Sequence, residues 1–263
     1  AQADAVLEGF RPGVAARLGV DYARLSAEHA ALVYASISGY GQTGPWSQRP
    51  GHDVNYLAET GVLRLGNPMA LPGVTFADGL AGVSAACNVV AALHVAAKSG
   101  QGQHLDLAIV DAPLFMMATE FEHYWRSGTA RQAGETHLTG RHPWYNVHAT
   151  ADGGAIAVGA VEPQYHAAWC RDIGSFELAD GQHTGGAALE SAWRSARASL
   201  ADCTRDEAVA RFAGEDACVS PVLDTGEVAR SPLMARVQVP GTRAGERLVR
   251  SPVATTPAAW GVE

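Results

Sequence analysis

DGLAGVSAACNVVAALHVAAKSGQGQ, residues 78–103, reads as one long apolar helix with its own stop, and HLDLAIVDA resumes a strand-like run directly behind it. Asp78 stands at the expected N-cap, and Gly100 falls just past the helix end, inside a Gly-Gln-Gly turn. Upstream, LVYASISGYG is a strand pattern running into a glycine turn, and VLEGF near the start is another short strand-like piece. A helix of this length between apolar strands is hard to place outside an α/β layered architecture. The helical pattern PLFMMATEFEHYWRSG then extends the alternation.

Residues 126–143 turn polar, with Gly, Thr and His and little periodicity, and read as a linker. Beyond it, YNVHATADGGAIAVGAVEP gives two strands around an Asp-Gly-Gly turn. Helical patterns follow at 163–174, 186–200 and 204–214. The expected organisation is a larger α/β domain over 1–143, a smaller α/β domain over 144–240, and a tail, 241–263, returning to the larger one. The chain begins without Met and with a strand already under way, so a preceding segment is expected.

Composition narrows the function classes. With 47% apolar and 17% charged residues, 263 residues can bury a sizeable core. The net charge of −8, with a single lysine at Lys98, lacks the basic stripe of a nucleic-acid binder. Cys87, Cys170, Cys203 and Cys218 have neither metal-ligand nor disulfide-framework spacing, so buried, reduced thiols in a cytoplasmic protein are expected. No stretch is read as approaching the roughly 18 to 20 apolar residues that span a bilayer, and no metal or membrane partner is expected.

Three titratable side chains stand where loops meet elements: His52 in RPGHDVNYLAETG, Asp78 in TFADGLAG and Glu162 in VGAVEPQYH. Each has a plain explanation available. A lone loop histidine is commonly a surface residue, and Asp78 serves well as a cap. Glu162 is harder to dismiss, because Pro163 marks the first helical position and leaves a Glu at an N-cap, where Ser, Thr, Asp or Asn is preferred.

SGYGQTGPWSQRPGHDVNYLAETGVL, FADGLAG with its long helix, SGQGQHLDLAIVDA, GGAIAVGAVEPQYHAAW and FAGEDACVSPVLDTGEVARSP together resemble the class III CoA-transferase family (CaiB/BaiF type), in particular its alpha-methylacyl-CoA racemase branch. The resemblance runs through nearly the whole chain. It implies a Rossmann-like larger domain, here lacking the family's amino-terminal segment, a smaller α/β domain, and an interlocked homodimer. The substrate it implies is an acyl-CoA thioester, with no cofactor beyond coenzyme A itself. It assigns His52 and Asp78 as the acid–base pair that inverts the carbon next to the thioester carbonyl, Glu162 as the partner of His52 across the subunit interface, and Arg17, Gly51 and Tyr56 as CoA contacts. The stretch RLGNPMALPG between His52 and Asp78 is shorter than the family's usual loop. Two other readings stay open: CoA transfer between carboxylic acids through a nucleophilic Asp111, and a catalytically inert binding or assembly subunit.

Overall fold

The chain divides after Arg141 into two compact units. This computed structural model describes residues 3–66, 68–178, 182, 185–212, 217–234, 237–240 and 247–249. Most of the expected tail, 241–246 and 250–263, lies outside the described residues, as does 213–216 within the segment around Cys218.

In the first unit β1 (Ala5–Glu8) leads through α1 (Val14–Leu18) and α2 (Tyr22–Glu28) to β2 (Val33–Ser38). After a long loop come α3 (Asp53–Glu59), α4 (Val62–Leu65) and α5 (Phe76–Ser99). They are followed by β3 (Gln103–Ala108), α6 (Asp111–Met116) and α7 (Ala118–Ser127). The three strands form a parallel sheet with β2 in the centre, Val33 opposite Ala5 on one side and Gln103 on the other. Parallel neighbours need a crossover, and α5 supplies the one between β2 and β3.

Helix α5 buries a stripe of small residues, Ala77, Ala81, Ala85, Val89, Ala92 and Ala96, at spacings of three and four. Alanines along that stripe let the helix lie close to the sheet, where Val89, Ala92 and Ala96 join Val33 and Ala35 in one cluster. The return into β3 requires Gly102, because a Cβ there would fall 1.9 Å from the Leu32 carbonyl oxygen. By length and composition α5 is apolar enough to cross a membrane, which corrects the expectation that no segment approaches that limit; one face of it nevertheless packs on the sheet.

The helix also starts earlier than expected. Thr75 is its N-cap and Asp78 its third residue, so Asp78 is a first-turn carboxylate rather than the cap. The single helix expected over residues 113–128 is two, α6 and α7, separated at Met117.

The second unit opens with a hairpin, β4 (Tyr145–Ala149) and β5 (Ala155–Gly159), then α8 (Pro163–Asp172) and a single 3-10 turn at Phe176–Leu178. There follow α9 (Gly186–Leu200), α10 (Arg205–Arg211), β6 (Val219–Pro221), α11 (Thr225–Arg230), and a last hairpin of β7 (Gln238–Pro240) with β8 (Arg247–Val249). Strands β4, β5 and β6 form an antiparallel sheet. Alternation along β5 sends Ile156 and Val158 inward, onto Trp169 of α8, Ala192 and Ala196 of α9, and Ala208 of α10. Cys170 is buried and Cys203 half-buried, but Cys87 and Cys218 are exposed, so only part of the buried-thiol expectation holds.

Candidate active site

Pro50 and Gly51 lead to the start of α3, where His52 takes the N-cap in an extended conformation with φ −127° and ψ 172°. The His52 backbone N–H donates to Asn55 Oδ1 at 3.0 Å, one half of a capping box. The imidazole is exposed and borders two adjoining pockets.

The first pocket, about 270 Å³, is lined by Arg11, Ser38, Ser47, Arg49 and Tyr56 among others. Its two arginines open two copies of the same tripeptide, Arg11-Pro12-Gly13 and Arg49-Pro50-Gly51. The copies are tied together where the Gln48 amide donates to the Pro12 carbonyl at 3.3 Å. Sequence reading passed over both arginines, although the repeated tripeptide was visible. Arg17, the residue the resemblance assigns to a CoA phosphate, is exposed in the last turn of α1, where a cation suits the helix dipole, and is not among the residues lining this pocket.

Gly51 and Tyr56 border the pocket and also contact each other. The Tyr56 hydroxyl donates to the Gly51 carbonyl at 2.9 Å, and a Cβ on Gly51 would meet the Tyr56 ring at 2.7 Å. Burial raises the Tyr56 pKa, with the carboxylates of Asp78 and Glu59 adding to it.

The second pocket, about 390 Å³, is lined by His52, Asp53, Val54, Leu71, Pro72, Gly73, Val74, Thr75 and Asp78. The Asp78 side chain is exposed there. What brings it beside His52 is Asp53, whose Oδ1 accepts the Asp78 backbone N–H at 3.0 Å. The structure thus gathers His52 and Asp78 around one space, with the exposed apolar side chains of Leu71 and Val74 on its wall. That same bond occupies one first-turn N–H of α5. Phe76 and Ala77 keep theirs without an acceptor among the described residues.

Asp111 is elsewhere. It is the first residue of α6 and lines a third, mostly apolar cavity with Leu80, Ser84, Phe115 and Met116. Burial, and then the Asp106 carboxylate, raises its pKa. Glu162 belongs to the second unit, where it is the exposed N-cap of α8; its carboxylate makes no cap bond. No cluster of His, Cys, Asp or Glu among the described residues could hold a metal ion.

The model of CoA-transferase family III matches residues 1–261. The chain belongs to this family. An alpha-methylacyl-CoA racemase of Mus musculus is 36% identical over 239 residues, 85% of this chain and 60% of the racemase. A succinate–glutarate CoA-transferase of Agrobacterium fabrum is 34% identical over 185 residues, 68% of this chain and 45% of that enzyme. The crystal structure of a CAIB/BAIF family protein from Brucella suis superposes with a TM-score of 0.79 at 26% identity, covering 97% of this chain and 70% of that one. The family thus contains racemases and transferases, and this chain spans about 60% of the racemase's length.

Proposed function

We propose that the protein is an isomerase of acyl-CoA thioesters, inverting the α-carbon of 2-methyl-branched acyl groups. The observation that carries this reading is the Asp53–Asp78 bond, which sets the first turn of α5 beside the start of α3 so that His52 and Asp78 line one pocket. Inversion needs two acid–base groups, one at each face of the carbon. One group, unprotonated, takes the α-proton, and the C–H electron pair moves into the thioester as an enolate. The other, holding a proton, returns it to the opposite face; the roles exchange for the other enantiomer. The Phe76 N–H, open at the positive end of α5, is a donor for the enolate oxygen.

The two pockets on either side of His52 suit the two halves of such a substrate. Arg11 and Arg49 favour the anionic carrier, and the wall of Leu71 and Val74 favours the apolar acyl group. Glu162, whose carboxylate is not spent on its cap, is assigned the partner of the protonated imidazole within a homodimer.

CoA transfer through a carboxylate nucleophile is the second reading, favoured by the transferase among the relatives. Asp78 shares a pocket with His52, whereas Asp111 lies in another cavity, where burial and then the Asp106 carboxylate raise its pKa. The two readings separate when a single enantiomer of a 2-methylacyl-CoA is incubated without any free carboxylic acid. Racemisation under those conditions supports the isomerase; turnover only after an acceptor acid is added replaces it with the transferase.

A further inference from the structure

The loop that delivers His52 is fastened at two points to one carboxylate on the helix it leads into. Tyr40, two residues past β2, donates its hydroxyl to Glu59 Oε2 at 2.7 Å. Arg49, three residues before His52, places Nη2 at 2.7 Å from Glu59 Oε1. The Arg49 guanidinium also lies over the Trp46 ring at 4.7 Å, and the Trp46 ring meets Tyr40 edge-on at 5.7 Å. One turn back along α3, Tyr56 holds the Gly51 carbonyl. Burial and the Glu59 bond push the Tyr40 phenol up to about 12, so it remains a donor throughout the physiological range.

Stability alone is a poor account of this arrangement. An ion pair whose partners are 45% and 24% exposed falls in a class worth about 0 to 1 kcal/mol. Neither Tyr40 nor Glu59 lines either of the pockets that His52 borders. What the pair fixes is geometry: the two ends of the 40–49 loop are held to the last residue of α3, while His52 caps its first turn.

We infer that Glu59 is a positioning residue for His52, acting through its joint hold on Tyr40 and Arg49. The inference rests on the isomerase reading above. A base that must meet one face of one carbon tolerates little displacement, and about 1 Å of misplacement can cost up to roughly 10²-fold.

The test follows the loss of α-deuterium from each enantiomer of an α-deuterated 2-methylacyl-CoA separately, in the unaltered protein, Glu59→Gln and Tyr40→Phe. His52→Ala identifies the enantiomer whose face His52 serves. Glu59→Gln is expected to slow that enantiomer about tenfold at saturating substrate, leaving the opposite enantiomer near its original rate. Tyr40→Phe, which removes one hydroxyl and keeps the ring, shifts the same ratio in the same direction by a smaller factor. It decides the matter if circular dichroism shows Glu59→Gln unfolded. Equal slowing of both enantiomers, or none, overturns the positioning role, since a loss of folded protein alone cannot change their ratio. Failure of the unaltered protein to exchange either enantiomer overturns the isomerase reading itself, and this inference with it.

Discussion

Asp53 and Asp78, 25 residues apart in sequence, are joined by a 3.0 Å hydrogen bond from the backbone of one to the carboxylate of the other. The bond does two things at once. It satisfies an N–H that the first turn of α5 leaves open, and it sets the spacing between His52 and Asp78.

Asp53→Ala is therefore expected to cost about 1 kcal/mol of stability, the usual loss for a side-chain acceptor at a helix start. The rate of α-proton exchange should fall by more than that loss of folded protein explains. Urea unfolding and exchange kinetics on the same preparation check both; exchange that merely tracks the folded fraction would leave the bond a structural cap.

Gly51→Ala should destabilise the first unit. Its Cβ would lie 2.7 Å from the Tyr56 ring and 3.0 Å from the Tyr40 hydroxyl, and neither ring is a flexible chain end. Overpacking of this kind costs about 1–3 kcal/mol. Denaturant midpoints for the variant measure it, and an unchanged midpoint would mean the loop has room to move.

At Glu162 stability and activity should part company. A Glu that caps α8 with no side-chain bond is a weak cap, so Glu162→Ser should raise stability by up to about 1 kcal/mol. If the carboxylate supports a protonated His52, the same change lowers turnover. Thermal melts beside racemisation rates decide the point, and a variant both more stable and fully active would remove Glu162 from the site.

The second unit should lose stability in mild acid. His148 is buried, and desolvation lowers its pKa below the ordinary 6.5, against the opposing effect of its 2.7 Å bond to the Pro143 carbonyl. The unfolded chain then takes up a proton near pH 6.5 that the folded chain declines, so this contribution is complete above that value. It is lost as pH falls from there towards the folded pKa. His148→Gln, which keeps an N–H donor, should flatten that part of the stability-against-pH curve; an unaltered curve would place the acid sensitivity elsewhere.

Much of the frame was legible because its signals are local. The span of α9 follows from its apolar periodicity, α8 from Pro163 at its first position, and the β4–β5 turn from Asp-Gly-Gly. The α6–α7 break at Met117 has no Gly or Pro to announce it. Asp78 looked like a cap because a first-turn acid and an N-cap acid share the same local preference; Thr75, three residues earlier, takes the cap, and Asp53 bonds the Asp78 N–H from another helix. The wall that Leu71 and Val74 give the pocket, and the Tyr40–Glu59–Arg49 hold on the loop, exist only after α3 and α5 have come together. The arginines at the pocket, Arg11 and Arg49, are defined by their place in the fold.

Uptake of solvent deuterium at the α-carbon of a 2-methylacyl-CoA in D2O, followed with the unaltered protein and with His52→Ala and Asp78→Ala, tests the pairing of these two residues most directly. The unaltered protein should incorporate deuterium as it racemises the substrate, and each substitution should slow the racemisation by roughly 10²- to 10⁴-fold, the usual loss for a positioned acid–base group. Undiminished uptake and racemisation in both variants would contradict the account, since the two side chains that Asp53 brings to one pocket would then have no part in the chemistry.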